Sequence, residues 1–486
     1  MQTHILATDG YKFSMAAAGF PLRQETFYYS HRKGGPHYLS FDVESEIRKM
    51  LPSREALQAC QGESYLRSQG YHMGGAFWEA MRGEIKIHAL PKGSWFFDRE
   101  PVFTVTGPST LVSWLEPLVL QLHYRIQVAT LAVKGNQEEW ERHFKVVSTD
   151  RQKEIILETF AQVDKALPFD IQVNPEPYIN HVRERVSELV QIVTDPSRIF
   201  EVGMRAATCM EQHRLALTAA KEAGLLATSN VFLAQEMSLK AVGTMGHEHV
   251  QRFGNDEDAF RAMRDRHPGP TSFLLDTFST IHSGLPTAFR LIQEDPSRGD
   301  TVRFDSGDKK TQFLIACSMA MSMGIKPRFI LEDGFTANMT RDFETLRELQ
   351  GIPAEDVLYG YGGYIVKAPG DYLTRDNVAA VWKVTQSGSK PTMKFGDEPG
   401  SGKESIPGKP VLYRYYDKSR SAWFGYVAQE GEDVKSPQVT DKDIPMPVSE
   451  AVFTQMLQGA KPLYSPETKR IVKVLTKARN RFLGGE

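Results

Sequence analysis

Residues 301–334 read TVRFDSGDKKTQFLIACSMAMSMGIKPRFILEDG, a helical stretch between two short apolar runs. The runs TVRFDSG (301–307) and RFILEDG (328–334) predict β-strands, while residues 309–324 show helical periodicity. Strand, helix and strand in this order predict two parallel strands joined by a helical crossover. This stretch therefore decides the fold class, which is α/β.

The same alternation of strand and helix extends outward over residues 198–366. Four further runs predict strands of the same sheet: IFEVG (199–203), KAVGTMG (240–246), SFLLDTF (272–278) and VLYGYGG (357–363). Each run ends in glycine or in charged or hydroxyl residues, which is typical of the active-site end of a β/α barrel. Because six strands are fewer than eight, the pattern predicts an irregular β/α barrel and leaves open whether it closes.

Residues 1–130 have a different texture, in which short strands and helices are mixed. Strands are predicted at TFYYS (26–30), YLSFDV (38–43) and PVFTVTGP (101–108), and a buried helix at residues 111–130. The pattern predicts an N-terminal mixed α+β domain.

Residues 131–197 are more polar and predict a helical insertion or connector. Helical spacing occurs at residues 154–166 and 181–193, with Pro168, Pro175 and Pro177 between these stretches.

Residues 367–486 return to a β pattern. Two hairpins are predicted, within residues 381–395 and 410–427, before a basic helix at 467–482 whose charges we interpret as a solvated face. We expect this β-rich segment to pack on the N-terminal domain and to complete it.

Length, charge and cysteine content indicate the number of domains, the class of partner and the cellular compartment. A length of 486 residues predicts two or three domains, and 58 basic against 60 acidic residues argue against a nucleic-acid partner. Three cysteines without a CxxC pair predict a reducing compartment. The sequence shows neither a signal peptide at its start nor an apolar stretch long enough for a membrane span. We therefore expect a cytoplasmic protein without a membrane partner.

The string GTMGHEHV (243–250) suggests a functional histidine at a strand end. His247 and His249 are two residues apart, whereas the zinc motif HExxH puts two imidazoles on one helix face. We therefore expect no protein-bound metal here, a functional role for His247 and a structural role for His249.

The string VRFDSGD (302–308) suits recognition of a ribose phosphate. Arg303 and Asp305 are two apart on a predicted strand, so both side chains project to the same face. A carboxylate can bind hydroxyls or a metal, and an arginine can bind an anion.

Two glycine-rich strings differ in their suitability as phosphate loops. The glycines of GYGGYI (360–365) can expose backbone N–H groups to an anion, whereas GSGKES (400–405) lacks the full Walker A pattern and is interpreted as a loop. The sequence contains no GxSxG nucleophile elbow, which disfavours serine hydrolysis.

Six motifs occur in the order of a known family. They are TDGYK (8–12) with Met15, EVGMR (201–205), TSNV (228–231), GTMGHEHV, VRFDSGD and KPTMKFGDEPGSGKESIPGKPVLYR (390–414). Together they resemble the nicotinate phosphoribosyltransferases, which are type II phosphoribosyltransferases also related to nicotinamide phosphoribosyltransferase. The resemblance covers most of the chain but neither residues 131–197 nor the tail.

The resemblance implies an irregular α/β barrel in a homodimer with shared active sites. It implies that His247 is the histidine that ATP phosphorylates, and that Tyr11 of a neighbouring subunit stacks on the pyridine ring. Arg205 and Arg303 would hold the acid groups, and Asp305 with Asp333 the ribose hydroxyls. The remaining implied contacts are Gly362 and Gly363 for the 5′-phosphate, Arg32, Lys33, Arg375, Lys383 and Lys394 for pyrophosphate, and Thr228, Ser229 and Asp276 for the substrates.

The implied reaction forms nicotinate mononucleotide and pyrophosphate from nicotinate and phosphoribosyl pyrophosphate. Mg²⁺ would accompany the phosphorylated substrates, and ATP would be a co-substrate in NAD salvage. Displacement at the anomeric carbon needs positioned cations rather than a protein nucleophile. A non-catalytic ribose-phosphate sensor and a metallohydrolase remain alternatives from other classes.

The substrate follows from Ser229, with nicotinamide as the alternative. The nicotinamide enzyme has TDTV where this chain has TSNV, and an aspartate there would repel a carboxylate. Against this, LTRD (373–376) is more similar to the nicotinamide enzyme, and Val202 replaces the family's ring-stacking phenylalanine.

Overall fold

The computed structural model describes residues 3–370, 373–395, 404–417, 422–434 and 461–484. Its centre is a sheet of seven parallel strands, here called the barrel sheet. In spatial order they are Lys240–Ala241, Ala227–Thr228, Ile199–Glu201, Val357–Tyr361, Arg328–Leu331, Thr301–Phe304 and Ser272–Leu274.

The barrel sheet curls without closing. Within the described part of the chain, no hydrogen-bonded pairing joins its two outer strands. The predicted α/β fold with an irregular barrel is confirmed, and all six predicted strands are present. The seventh strand, Ala227–Thr228, escaped prediction because two residues are too short to show a periodicity.

Helices follow most strands of the barrel sheet. Their ends match local sequence signals: the Asp308 side chain accepts from the N–H of Thr311 at 3.2 Å, and Gly324 ends the same helix with a φ of 67°. These helices are Met210–Glu222, Val231–Met237, His247–Phe253, Asp256–Arg266, Leu285–Glu294, Lys309–Met323, Ala337–Leu349 and Gly363–Val366.

The N-terminal region is built on a second sheet of five strands. In spatial order they are Lys390–Pro391, Val381–Ser387, Gln24–Ser30, Phe103–Pro108 and Lys86–Ala89, and all neighbours are antiparallel. Residues distant in sequence thus share one sheet, and the C-terminal β-segment packs on the N-terminal domain as predicted.

Helices and short strands surround the N-terminal sheet. The predicted strand at 38–43 is wrong in its second half, because Asp42 caps a helix by accepting from the N–H of Ser45 at 2.7 Å. The elements of this region are Gly10–Ala18, His37–Leu39, Val43–Met50, Arg54–Gln58, Glu63–Ser68, Gly75–Met81, Ser94–Phe96, Ser109–Trp114 and Glu116–Lys134.

The segment 131–197 is helical, as predicted. Its helices are Gln137–Phe144, Asp150–Gln162 and Glu176–Val193. The second begins four residues before its predicted start, at a capping box between Thr149 and Gln152. The third begins at the proline pair, because Pro177 occupies its first turn, where no N–H is needed.

The C-terminal hairpin and helix are present. Strands Pro410–Asp417 and Ala422–Gln429 pair antiparallel, Leu463–Tyr464 joins them, and the last helix is Pro466–Phe482. One basic residue of this helix is not simply solvated, because Arg479 donates to the carbonyl of Phe278 at 2.7 Å. Most of GSGKES and the turn at 418–421 lie outside the described residues. None of the described helices combines the length and apolarity needed to cross a bilayer.

Candidate active site

A cavity of about 1130 Å³ opens at the carboxyl ends of the barrel strands. It is lined by every predicted site residue except Thr228 and Asp276. The lining also includes residues at the amino ends of barrel strands, such as Ser272, Thr301 and Arg328. The cavity therefore continues along the barrel interior rather than stopping at its mouth.

His247 begins a helix beside this cavity and is 9% exposed. Its Nε2 atom accepts a hydrogen bond from the Lys394 ammonium at 2.8 Å, which places the proton of the neutral ring on Nδ1, 3.1 Å from Thr277 Oγ1. Burial, and then the charge of Lys394, lower the pKa of His247, while Asp276 and Asp305 oppose this effect. At neutral pH the imidazole is therefore uncharged and carries a nucleophilic lone pair at Nε2.

Two carboxylates adjoin the same imidazole nitrogen. Asp305 Oδ2 lies 3.4 Å and Asp276 Oδ1 lies 3.7 Å from His247 Nε2. His247, Asp276 and Asp305 each offer one possible ligand atom, and these three atoms lie within 4.8 Å of one another. The buried Asp276 Oδ1 has no hydrogen-bond partner among the described residues. Oxygen ligands of this kind suit Mg²⁺, so the residues present fit the metal that the resemblance implies.

His249 does not belong to this group. Its Nε2 atom lies 2.9 Å from the carbonyl oxygen of Ala259, and the side chain is fully buried. This arrangement agrees with the structural role predicted from its spacing.

Arg303 projects from strand Thr301–Phe304 into the cavity. Its Nε atom lies 2.8 Å from Glu332 Oε1, and its Nη1 atom is hydrogen-bonded to Thr244 Oγ1. Burial raises the pKa of Glu332 to about 7 despite the opposing charge of Arg303. Glu332 was not among the predicted site residues, yet it is the carboxylate that holds this guanidinium.

Asp305 and Asp333 follow neighbouring barrel strands and both line the cavity. Burial alone would raise the pKa of Asp305, but its interaction with the adjoining His247 ring and the charge of Arg303 hold that pKa well below its usual range. Asp333 is exposed and adopts a φ of 62° immediately before Gly334. Ionised carboxylates here can accept hydrogen bonds from hydroxyl groups.

Five basic residues form what we call the cationic end of the cavity: Arg32, Lys33, Arg375, Lys383 and Lys394. Strand pairing brings them together, because Val381–Ser387 lies beside Gln24–Ser30 and the N–H of Arg32 donates to the carbonyl of Val378 at 2.9 Å. Burial and the charge of Lys394 lower the pKa of Lys383 to about 7, against the attraction of Glu116. Such an excess of cations suits a polyanion.

Tyr11, Arg205 and Ser229 form what we call the tyrosine end of the cavity. The Tyr11 hydroxyl donates to Glu116 Oε2 at 2.9 Å and accepts from Arg205 Nη1 at 3.3 Å. Tyr11 thus lines the cavity of its own chain, and the expectation that a neighbouring subunit contributes its Tyr11 stays a prediction.

The backbone explains this placement of Tyr11. A Cβ atom on Gly10 would lie 2.4 Å from the carbonyl oxygen of Val242, and one on Gly243 would lie 2.2 Å from the N of Tyr11. Only glycine allows the first turn of helix Gly10–Ala18 to lie this close to residues 242–243. The helix is thereby held directly against the barrel of the same chain.

A buried ionic network lies behind the tyrosine end. The Lys12 ammonium contacts both Glu116 and Glu248, and Arg252 bridges Glu248 Oε2 at 3.3 Å to Glu25 Oε1 at 2.9 Å. Each of these side chains is at most 10% exposed.

None of these network residues was predicted as part of the site. One residue could have indicated the network from the sequence. Glu116 is a lone carboxylate within an otherwise apolar and buried helical stretch, and such a charge needs a buried partner.

Thr228 and Ser229 have different surroundings although they are adjacent. Thr228 is fully buried and donates to Glu201 Oε2 at 2.6 Å, so it does not reach the cavity. Ser229 lines the cavity, and its hydroxyl lies 2.6 Å from Asp9 Oδ1.

The Gly362–Gly363 turn is supported by the helical segment 131–197. Tyr178 donates to the carbonyl of Val366 at 2.7 Å, and Arg185 is hydrogen-bonded to the carbonyl of Tyr364. Both donors lie on helix Glu176–Val193 and contact the end of the one-turn helix that begins at Gly363. A segment outside the resemblance therefore fixes the turn predicted to bind a phosphate.

Val202 lines the cavity, and so does Phe200. Phe200 lies two residues earlier, within strand Ile199–Glu201, and Val202 directly follows this strand. An ideal Cβ atom on Gly360 would approach a Phe200 ring carbon to 2.8 Å, so this glycine leaves room for the ring. The cavity thus retains an aromatic side chain near the position where the family phenylalanine is replaced.

Comparison with known proteins confirms the resemblance. A nicotinate phosphoribosyltransferase of Bacillus subtilis is 28% identical over 247 residues, which are 48% of this chain and 47% of that protein. A nicotinate phosphoribosyltransferase of Homo sapiens is 23% identical over 396 residues, which are 70% of this chain and 62% of that protein. This chain thus spans less than two thirds of either curated relative, and no family model matches it.

Solved structures share the fold. The nicotinate phosphoribosyltransferase of Porphyromonas gingivalis aligns with a TM-score of 0.56 at 19% identity, covering 82% of this chain and 96% of that one. The corresponding structure from Vibrio cholerae aligns with a TM-score of 0.55 at 16% identity, covering 82% of this chain and 89% of that one.

Proposed function

We propose that this chain, a relative of the nicotinate phosphoribosyltransferases, transfers the phosphoribosyl group of phosphoribosyl pyrophosphate to nicotinate. The products are nicotinate mononucleotide and pyrophosphate, and the reaction belongs to NAD salvage. The observation that carries the proposal is that one cavity combines the cationic end, the carboxylates Asp305 and Asp333, and the tyrosine end. These features match a polyanionic leaving group, a ribose and an aromatic acid.

The cationic end would hold the departing pyrophosphate. The reaction breaks the bond from the anomeric carbon to a pyrophosphate oxygen and forms a bond from that carbon to the pyridine nitrogen. Negative charge grows on the leaving group in the transition state, so fixed cations there lower the barrier. Lys383 and Lys394, which line the cavity, would supply that charge.

The ribose and its phosphate would lie along the ends of the barrel strands. Asp305 and Asp333 would accept hydrogen bonds from the ribose hydroxyls, and the backbone of Gly362 and Gly363 would bind the 5′-phosphate. Bound Mg²⁺ would neutralise phosphate charge, with Asp276 and Asp305 as its protein ligands.

His247 would couple the reaction to ATP hydrolysis. Its Nε2 lone pair attacks the γ-phosphorus of ATP, the bond to the ADP oxygen breaks, and water later releases phosphate from the imidazole. Lys394, 2.8 Å from Nε2, would stabilise the phosphoryl oxygens. The proposal includes a homodimer, although Tyr11 of the same chain already lines the cavity.

Nicotinamide is the second candidate substrate, and one contact favours it. The Ser229 hydroxyl has a single proton, and beside an ionised Asp9 that proton is shared with the carboxylate 2.6 Å away. Ser229 would then offer the cavity only lone pairs, which suit the N–H groups of an amide. Nicotinate remains first because the cationic Arg205 and Arg303 line the same cavity.

The decisive test is turnover of each pyridine with phosphoribosyl pyrophosphate, with and without ATP. We expect formation of nicotinate mononucleotide, faster with ATP, and a weaker reaction with nicotinamide. An Arg303→Gln variant should lose most of this activity, whereas Arg290→Gln, which alters an exposed ion pair with Glu257, should not. Absence of product with both pyridines would overturn the proposal.

A further inference from the structure

Asp9 and Ser229 are held together by three contacts between distant segments. The Gly10 N–H donates to the carbonyl of Ser229 at 2.8 Å, Asp9 forms a backbone bridge with Asn230, and the two side chains are 2.6 Å apart. Asp9 is 1% exposed and Ser229 is 3% exposed. The second carboxyl oxygen of Asp9, Oδ2, has no hydrogen-bond partner among the residues that the structure describes.

We infer that Asp9 is a specificity-determining positioning residue, whose proton decides whether Ser229 donates or accepts a hydrogen bond in the cavity. This inference rests on the proposed function and identifies how the site distinguishes a pyridine carboxylate from a pyridine carboxamide. Asp9 does not line the cavity itself, so it acts through Ser229.

The protonation state of Asp9 sets the direction of its hydrogen bond with Ser229. An ionised Asp9 only accepts, so Ser229 donates to it and presents lone pairs to the cavity, which match an amide N–H. A protonated Asp9 donates to Ser229 Oγ, and the serine hydroxyl is then free to donate to a carboxylate. The same two side chains therefore recognise opposite partners, according to one proton.

The groups around Asp9 have opposing effects on its pKa. Burial raises the pKa of Asp9, and so does Glu116, whereas Arg205, the Ser229 hydrogen bond and Lys12 lower it. A nicotinate carboxylate near Ser229 would add another negative charge and favour the protonated form. Binding of nicotinate should therefore take up a proton, and binding of nicotinamide should not.

The first experiment measures kcat/KM for both pyridines across pH, in the wild type and in Asp9→Asn. The asparagine is uncharged at every pH, and its amide N–H can donate to Ser229 Oγ. In the wild type we expect the ratio of nicotinate to nicotinamide use to fall about tenfold per pH unit above the pKa of Asp9. In Asp9→Asn the ratio should stay high and independent of pH.

Two control variants separate this role from a merely structural one. Ser229→Ala should abolish the pH dependence of the ratio, and adding Asp9→Asn to Ser229→Ala should then change nothing further. Asp265→Asn, on an exposed helix face, should behave as the wild type. An unchanged pH dependence in Asp9→Asn would overturn the inference.

Calorimetry on the wild type is a second measurement, and its result does not depend on whether a variant folds. Nicotinate binding, measured in two buffers with different ionisation enthalpies, should show uptake of about half a proton at the pKa of Asp9 in the free protein and of nearly one proton above it. Equal proton uptake with nicotinamide would also overturn the inference. Failure of the proposed function is a separate result, because it would appear as no turnover of either pyridine.

Discussion

The two ends of the cavity handle buried charge in opposite ways. Behind the tyrosine end, Lys12 lies between Glu116 and Glu248, and Arg252 joins Glu248 to Glu25. At the cationic end, Lys383 is surrounded by the cations Lys394, Arg32 and Arg375 and is attracted by Glu116. The first end is neutralised within the protein, whereas the second requires an anion. The buried ion pairs at the first end therefore stabilise the fold, whereas the excess of cations at the second end favours binding of an anion.

The largest effect should come from His247, which contacts Lys394 of the cationic end. His247→Ala removes the proposed acceptor of the ATP phosphoryl group, so ATP hydrolysis should fall by about 10³-fold or more. Transfer without ATP should survive in part, because the cationic end is intact. Phosphoenzyme and ADP are the measured quantities.

A surface substitution provides the control for this experiment. His282→Ala changes an exposed histidine and should retain full ATP hydrolysis. Normal ATP-coupled turnover in His247→Ala would show that the two ends work without a phosphorylated histidine.

The second effect tests neutralisation behind the tyrosine end. Lys12→Met leaves Glu116 and Glu248 buried without the cation between them, so the free energy of unfolding should fall by about 3–5 kcal/mol. Urea denaturation followed by circular dichroism measures this change. In contrast, Lys49→Met, which removes an exposed pair with Glu46, should cost about 0–1 kcal/mol. Equal losses in both variants would contradict the comparison.

The third effect tests the excess of cations. Because burial and Lys394 lower the pKa of Lys383 to about 7, its ammonium is present below that pH and is lost above it. The KM for phosphoribosyl pyrophosphate should therefore rise about tenfold as pH increases through 7. Lys383→Arg keeps the charge and should flatten the profile, whereas Lys383→Gln should show the high KM throughout. A pH-independent KM in the wild type would rule out this role.

The smallest effect concerns the Gly362–Gly363 turn. Arg185→Gln weakens a hydrogen bond to the carbonyl of Tyr364, so the KM for phosphoribosyl pyrophosphate should rise about threefold with little change in kcat. Arg183→Gln is the matched control on the same helix, since the contacts of Arg183 among the described residues, with Asn180 and Glu222, are exposed. A larger effect on kcat than on KM would assign Arg185 a different role.

Most of the site residues that were predicted from the sequence do line the cavity. Parallel strands present their carboxyl ends on one side of a sheet, so residues such as Arg303, Asp305 and His247 could be predicted to converge without any coordinates. The same reasoning places Glu332 at the end of another predicted strand. It does not show that the Glu332 carboxylate contacts Arg303.

What sequence could not show depends on contacts between distant segments. Lys12, Glu116 and Glu248 come from three elements, and no local pattern reveals that they meet. The resemblance implied that Tyr11 comes from a neighbouring subunit, whereas Tyr11 lines the cavity of its own chain. Its position there depends on the backbone contact between Gly10 and Gly243, which only the folded structure contains.

The contact between Gly10 and Gly243 also sets an order of events during synthesis. Helix Gly10–Ala18 leaves the ribosome first, but the segment that receives it is made about 230 residues later, or about 10–50 s at ordinary elongation rates. During that interval the Sδ atom of Met15 lacks the Gly246 N–H, from which it accepts at 3.2 Å in the finished molecule. Docking of this helix must therefore wait until residues 242–243 have emerged.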